Sequence, residues 1–216
     1  TSLRESVERF TQRGAGNRRY RTLIIAEDSK YTGALSYLDV FNILLETKFR
    51  STIGGFLDSK ISTLPKKKID TLSQEARLDM AINKLDTNFF THIPVFDRNL
   101  KSMDIIGLVD EIAVRSLQYP VIYEYVEDMQ LNEILEIQRP NFTELTVSEN
   151  DTIEEALKKF TKSKTRPKTL LVGDLNSDSS IVSLKNTLSY VDVMQMFLEF
   201  AKDQLSQSGL IKDDAG

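Results

Sequence analysis

Gly33-Ala34-Leu35-Ser36-Tyr37-Leu38-Asp39-Val40-Phe41-Asn42-Ile43-Leu44-Leu45-Glu46 reads as the end of a short apolar strand, a Ser-x-x-Asp turn and a helix with a broad apolar face. The same order returns as Leu188-Ser189-Tyr190-Val191-Asp192-Val193-Met194-Gln195-Met196-Phe197-Leu198-Glu199. Two such matches in 216 residues indicate an internal repeat, which constrains the fold before any single element does.

Working outward from the two copies, apolar residues at helical spacing mark a leading helix three times. They are Leu3, Val7 and Phe10, then Leu78, Ile82 and Leu85, then Ile153, Leu157 and Phe160. From Leu3 to Leu78 and from Leu78 to Ile153 the step is 75 residues. In the third copy Asp151 followed by Glu154 predicts a capping box. A compact strand is expected after each helix, over Arg21–Glu27, His92–Asp97 and Lys168–Asp174. Polar connections (Asp28–Tyr31, Arg98–Asp104, Leu175–Ser180) lead to second strands over Thr32–Leu35, Ile105–Val109 and Ile181–Leu184. Closing helices are expected over Ser36–Lys48, Asp110–Gln118 and Ser189–Gln204. Leading strands are expected near Lys68–Leu72 and Phe142–Val147, while the first copy starts at its helix and lacks one.

The fold class is therefore α/β (α+β), a tandem of strand-helix-strand-strand-helix repeats. The first occupies 1–50, the second 51–120, a linker and the third 121–205, and a flexible tail 206–216. Phe49–Lys67 and Tyr119–Asn141 read as linkers, the latter with an amphipathic packing piece at Val126, Met129, Leu131, Ile134 and Leu135. Three repeats leave one without a mate. Either the third pairs with its counterpart in another chain, or a fourth lies outside this sequence.

Composition narrows the function. Hydrophobic content of 40% with 28% charged residues fits an ordinary globular core, and a net charge of −4 argues against nucleic acid as the partner. Zero cysteines remove disulfide and thiolate chemistry and fit a cytoplasmic protein; Lys66-Lys67-Lys68 is a solvated linker or a nuclear signal. The single histidine, His92, leaves little room for histidine metal sites or triads, and reads as a hydrogen-bonded structural residue. No apolar run long enough for a membrane helix is present, and no catalytic constellation stands out. The aromatic residues Tyr37, Phe41, Tyr190 and Phe197 follow helical spacing and read as core or dimer-face residues.

The Ser-x-x-Asp turn carries the chemistry. A serine at a strand-to-helix junction is a natural N-cap, and the amides exposed there favour an anion. An aspartate three residues on lies one turn along the same face, where its carboxylate can accept both hydroxyls of a ribose. The simpler role is that each serine only caps and each aspartate only favours the helix N-terminus. The second copy breaks the pattern: Gly107 is followed by Asp110 in place of serine and Ala113 in place of aspartate. Basic residues precede the strands of the other two copies, Arg18, Arg19 and Arg21 in one, Lys162, Lys164, Arg166 and Lys168 in the other. They are suited to phosphate or form a solvated basic face.

With the Gly-x-x-Ser-x-x-Asp turn and the element order in hand, the chain resembles the cystathionine-β-synthase (CBS) domain family. Thr1-Ser2-Leu3, the Gly33–Leu44 run and Asn132-Glu133-Ile134-Leu135-Glu136 are similar to the γ-subunit type of AMP-activated protein kinase, although that type has four units. The resemblance implies repeats paired sheet to sheet, and non-catalytic regulation by AMP, ADP or ATP bound in clefts. It implies no cofactor beyond that nucleotide. It implies nucleotide contacts from Ser36, Asp39, Arg21 and Thr22, and from Ser189, Asp192, Arg166, Lys168 and Thr169. The partners it implies are an adenosine nucleotide, a regulated kinase or other enzyme, and a homodimer through such units, with neither nucleic acid nor membrane. A ligand-free structural or dimerisation scaffold is the alternative, and a small α/β enzyme a third.

Overall fold

A computed structural model of the chain describes residues 2–13, 20–88, 92–99, 104–110, 129–137, 141–164, 166–179 and 182–207. The first repeat supplies α1 (Leu3–Thr11), β1 (Thr22–Glu27), β2 (Lys30–Ser36), α2 (Tyr37–Leu44) and then α3 (Arg50–Leu57). The second supplies β3 (Leu72–Ser73), α4 (Leu78–Asn88), β4 (His92–Phe96) and β5 (Asp104–Asp110), followed by α5 (Leu131–Ile137). The third consists of α6 (Phe142–Leu145), β6 (Thr146–Val147), α7 (Ile153–Lys162), β7 (Thr169–Leu175), β8 (Val182–Ser189) and α8 (Tyr190–Gln207). These elements form two compact units, each drawing on separated stretches of chain. One holds Thr1–Ile61, Asp151–Arg166 and Ser189–Gly216, the other Ser62–Asn150 and Pro167–Leu188.

The first unit joins the first and third repeats through their helices. α1 packs on α8, and both α2 and α3 pack on α7. Val7, Phe10, Phe41, Leu157 and Phe160 are fully buried, as their helical spacing requires. Rings interlock with the third repeat, Phe41 of the first repeat on Phe160 at 5.4 Å between centroids and Phe56 of the following linker on Phe197 at 5.5 Å. Capping boxes start α1 and α7. The Ser2 amide donates to Glu5 at 2.8 Å and the Thr152 amide to Glu155 at 2.7 Å. The α7 cap thus falls one residue beyond the expected Asp151 and Glu154, because Ile153 must open the helix to place its apolar stripe inward.

Also in this unit, β1 and β2 make an isolated antiparallel hairpin. Its two-residue turn, Asp28 and Ser29, has φ of 48° and 64°, the left-handed pair that matches strand twist. The expected linker Phe49–Lys67 contains α3. The Gly54-Gly55 pair disfavours helix, but Ile53, Phe56 and Leu57 are buried, and Phe200 packs 3.6 Å from where a Gly55 Cβ would lie.

The second unit is a six-stranded sheet in the order β3-β4-β5-β8-β7-β6. β4 and β5 form an antiparallel hairpin, and β5 continues onto β8 through Asp104↔Ser183 and Ile105↔Val182. Second and third repeats therefore share a sheet, and the first is the one whose hairpin stands apart. Leu78, Ile93, Val95 and Leu131 build one core, and Ile105, Leu108, Leu145, Leu171 and Val182 another. Phe142–Leu145, expected as strand, is a helical turn ahead of β6, and the leading strand of the second repeat is only Leu72–Ser73. The expected closing helix beyond Asp110, including Ala113, lies outside the described residues, as do Val126 and most of the tail.

Backbone pairing shows that one unit was copied. Thr22↔Ser36, Leu23↔Leu35, Ile24↔Ala34, Ile25↔Gly33 and Ala26↔Tyr31 match His92↔Asp110, Ile93↔Val109, Pro94↔Leu108, Val95↔Gly107 and Phe96↔Ile105. Even the register shift recurs, between Ile25 and Ala26 and between Val95 and Phe96.

Candidate functional site

Ser36 ends β2 and caps α2 with extended backbone (φ −98°, ψ 165°). Its amide donates to Asp39 Oδ2 at 2.7 Å and its hydroxyl to the same oxygen at 2.6 Å, while the Asp39 amide donates back to Ser36 Oγ at 3.3 Å. Ser189 and Asp192 repeat this closely, with 2.8 Å and 2.7 Å onto Asp192 Oδ2 and 3.4 Å back to Ser189 Oγ. Each pair is thus a capping box whose third residue is aspartate in place of the longer glutamate. Both contacts on Asp39 fall on one oxygen. An ionised carboxylate offers about four acceptor positions, so this one keeps capacity for hydroxyl donors. Ser36 is half-buried and Asp39 exposed, whereas Ser189 and Asp192 are both half-buried.

The tyrosines that follow each serine bring the two turns together. Tyr37 and Tyr190 stack with centroids 4.6 Å apart and planes inclined by 27°. Each is buried, and their hydroxyls cross over: Tyr37 reaches the Arg166 carbonyl at 3.5 Å and Tyr190 the Tyr20 carbonyl at 3.3 Å. Phe41 meets the Tyr37 ring edge-on at 5.8 Å, fixing it from behind. Burial raises the Tyr37 hydroxyl above its ordinary pKa and neighbouring Tyr190 adds to the rise, while the guanidinium groups of Arg21 and Arg166 oppose it. Both arginines therefore lie within electrostatic reach of the tyrosine pair.

The predicted residues Arg21, Thr22, Ser36 and Asp39 thus sit at one end of the β1–β2 hairpin, where Thr22 pairs in register with Ser36. Arg166 is exposed, with a left-handed φ of 45° that is uncommon for a side chain with a Cβ. Its amide bonds the Ser163 carbonyl at 3.2 Å. Lys168 and Thr169 are half-buried where β7 opens, in the sheet unit. Arg18 and Arg19 lie outside the described residues. Tyr20 was not anticipated, since it enters through its backbone carbonyl; the stacking of the tyrosines is legible only in the matching place each holds after its serine. Among the described residues no group of three or more His, Asp or Glu side chains could hold a metal, and no helix is long and apolar enough to cross a membrane.

No family model matches the sequence, and no curated protein matches it. Solved structures share the fold. An uncharacterised conserved protein from Pyrococcus horikoshii has 15% identity and a TM-score of 0.62, over 92% of this chain and 75% of that one. Protein MJ1225 from Methanocaldococcus jannaschii, a proposed archaeal homologue of g-AMPK, has 16% identity and a TM-score of 0.65, over 91% of this chain. This chain spans 64% of that protein's length. The CBS-pair protein CBSX2 from Arabidopsis thaliana has 16% identity and a TM-score of 0.50, over 66% of this chain and 96% of its own. The fold is that of CBS-domain proteins.

Proposed function

We propose, from the premise that this chain carries the CBS-repeat fold, that it is a non-catalytic regulatory protein which binds an adenosine nucleotide and passes its occupancy to a partner such as a kinase. The observation that carries this is the duplicated turn: two Ser-x-x-Asp pairs of matching geometry, held side by side by a buried tyrosine stack. In this reading Asp39 and Asp192 take the ribose hydroxyls, and Ser36, Ser189 and the helix amides face phosphate. Arg21 and Arg166 neutralise the phosphate charge, with Thr22 at its strand opening adding a polar contact. A net charge of −4 leaves nucleic acid out of the reading.

One observation favours the second reading, a ligand-free scaffold. Each serine and aspartate already satisfies the other, so both pairs are complete as caps. Calorimetric titration with AMP and with ATP separates the two. Nucleotide binding is expected, weakened at least about tenfold (~1.4 kcal/mol) by Asp39→Ala or Asp192→Ala. No heat with either nucleotide, together with nucleotide-independent capture of a partner, selects the scaffold.

A further inference from the structure

Tyr37 opens α2 and Tyr190 opens α8, and both side chains are buried in the helical unit. A buried phenol needs an acceptor for its hydroxyl. Each finds one in the other repeat, across 129 and 170 positions of sequence: Tyr37 donates to the Arg166 carbonyl at 3.5 Å and Tyr190 to the Tyr20 carbonyl at 3.3 Å. The two acceptors hold like places. Tyr20 stands two residues ahead of Thr22, where β1 starts, and Arg166 three ahead of Thr169, where β7 starts. Each acceptor therefore belongs to the basic stretch before a strand, Tyr20 as the neighbour of Arg21 and Arg166 in its own right. Two phenols that merely satisfied themselves would have no reason to select matching positions in exchanged repeats.

The stretches they hold are at the surface. Tyr20 and Arg166 are exposed, and Arg166 keeps a left-handed φ of 45°, which persists only where its surroundings fix it. Arg21 and Arg166 both lie within electrostatic reach of the stack. We propose that Tyr37 and Tyr190 are positioning residues with exchanged duties. Each hydroxyl fixes the basic strand opening of the other repeat, so the Ser36/Asp39 turn depends on Tyr190 and the Ser189/Asp192 turn on Tyr37. That each opening then presents its arginine to phosphate rests on the nucleotide reading above; the exchange itself does not. Both contacts exceed the ~2.8 Å of a tight O–H···O bond, which leaves them room to shorten when an arginine is drawn onto a ligand. The stack holds the rings, and the hydroxyls alone carry the exchange.

Tyr37→Phe and Tyr190→Phe each remove one hydroxyl and keep the ring, so circular dichroism of both variants should match the parent. Amide exchange of the nucleotide-free chain, followed by NMR, tests the exchange apart from any ligand. Tyr37→Phe should speed exchange of the Arg166 amide, bonded to the Ser163 carbonyl at 3.2 Å, at least about threefold more than Tyr190→Phe does. For the amides of Tyr20 and Arg21 the order should reverse. Calorimetric titration with ATP tests the consequence. In Asp192→Ala, which leaves the first repeat's turn, adding Tyr190→Phe should weaken binding at least about threefold more than adding Tyr37→Phe. In Asp39→Ala the order should again reverse. If ATP fails to bind while the exchange pattern stays crossed, the nucleotide reading falls and the positioning stands. Substitutions that act mainly on their own repeat in either measurement, or on both repeats alike as a general loosening would, overturn the inference.

Discussion

At the start of α7, Glu155 accepts from the Thr152 amide at 2.7 Å and the Thr152 hydroxyl at 3.0 Å, and Glu154 lies between Lys158 at 2.7 Å and Arg50. The Thr152 backbone bond, and then its side-chain bond, hold Glu155 below the ordinary carboxylate range. Lys158, and then Arg50, do the same for Glu154. A carboxylate lowered in the folded state adds stability that is present above its unfolded pKa of about 4.3 and is lost as pH falls through the folded value. Thermal stability should therefore drop on acidification below roughly pH 4. Glu154→Gln/Glu155→Gln should flatten that acid limb while keeping a capping side chain, since glutamine also serves at this position. Melting curves across pH would show it, and superimposable acid limbs for parent and variant would refute the assignment. The Arg166 backbone is another residue-scale feature: its left-handed conformation persists beside the tyrosine stack, where strain is commonly kept for function.

Glycines in different strands can meet opposite demands. A Cβ at Gly173 in β7 would collide with the Ser183 carbonyl oxygen, a backbone atom that cannot step aside. At Gly33 in β2 a Cβ would meet nothing within 4 Å. Gly173→Ala should cost about 1–3 kcal/mol by overpacking. Gly33→Ala should be neutral or add up to about 1 kcal/mol by restricting the unfolded chain. Denaturant midpoints decide the matter, and equal effects would discard the close β7–β8 approach. Much at this scale was legible in sequence. The three apolar stripes predicted α1, α4 and α7, and the Ser-x-x-Asp turns placed the starts of α2 and α8, because helical spacing and capping are local signals. Phe142–Leu145 was not legible as helix, nor was α3 with its paired glycines, because burial of Phe142 and Phe56 outweighs their weak local preferences. The crossed tyrosine hydroxyls depend on backbone carbonyls far away in sequence, to which no residue pattern points.

Which repeats associate is a property of the whole chain. All three hairpins carry apolar residues, so composition could not say that the second and third would share a sheet while the first would meet the third through helices. Phe41 tests that helical association. It is fully buried and touches Tyr37 in its own repeat and Phe160 in the third, so Phe41→Ala should lose about 3–5 kcal/mol. A loss below about 1 kcal/mol, typical of a surface site, would mean that the ring is not shared between repeats. The patchwork of the helical unit, drawn from stretches as distant as Thr1–Ile61 and Ser189–Gly216, has an outcome during synthesis. A ribosome releases α3 long before Phe197 and Phe200 exist to cover Phe56, and α1 long before α8 on which it packs, so the nascent first repeat must wait, exposed to chaperones and proteases, until α8 emerges.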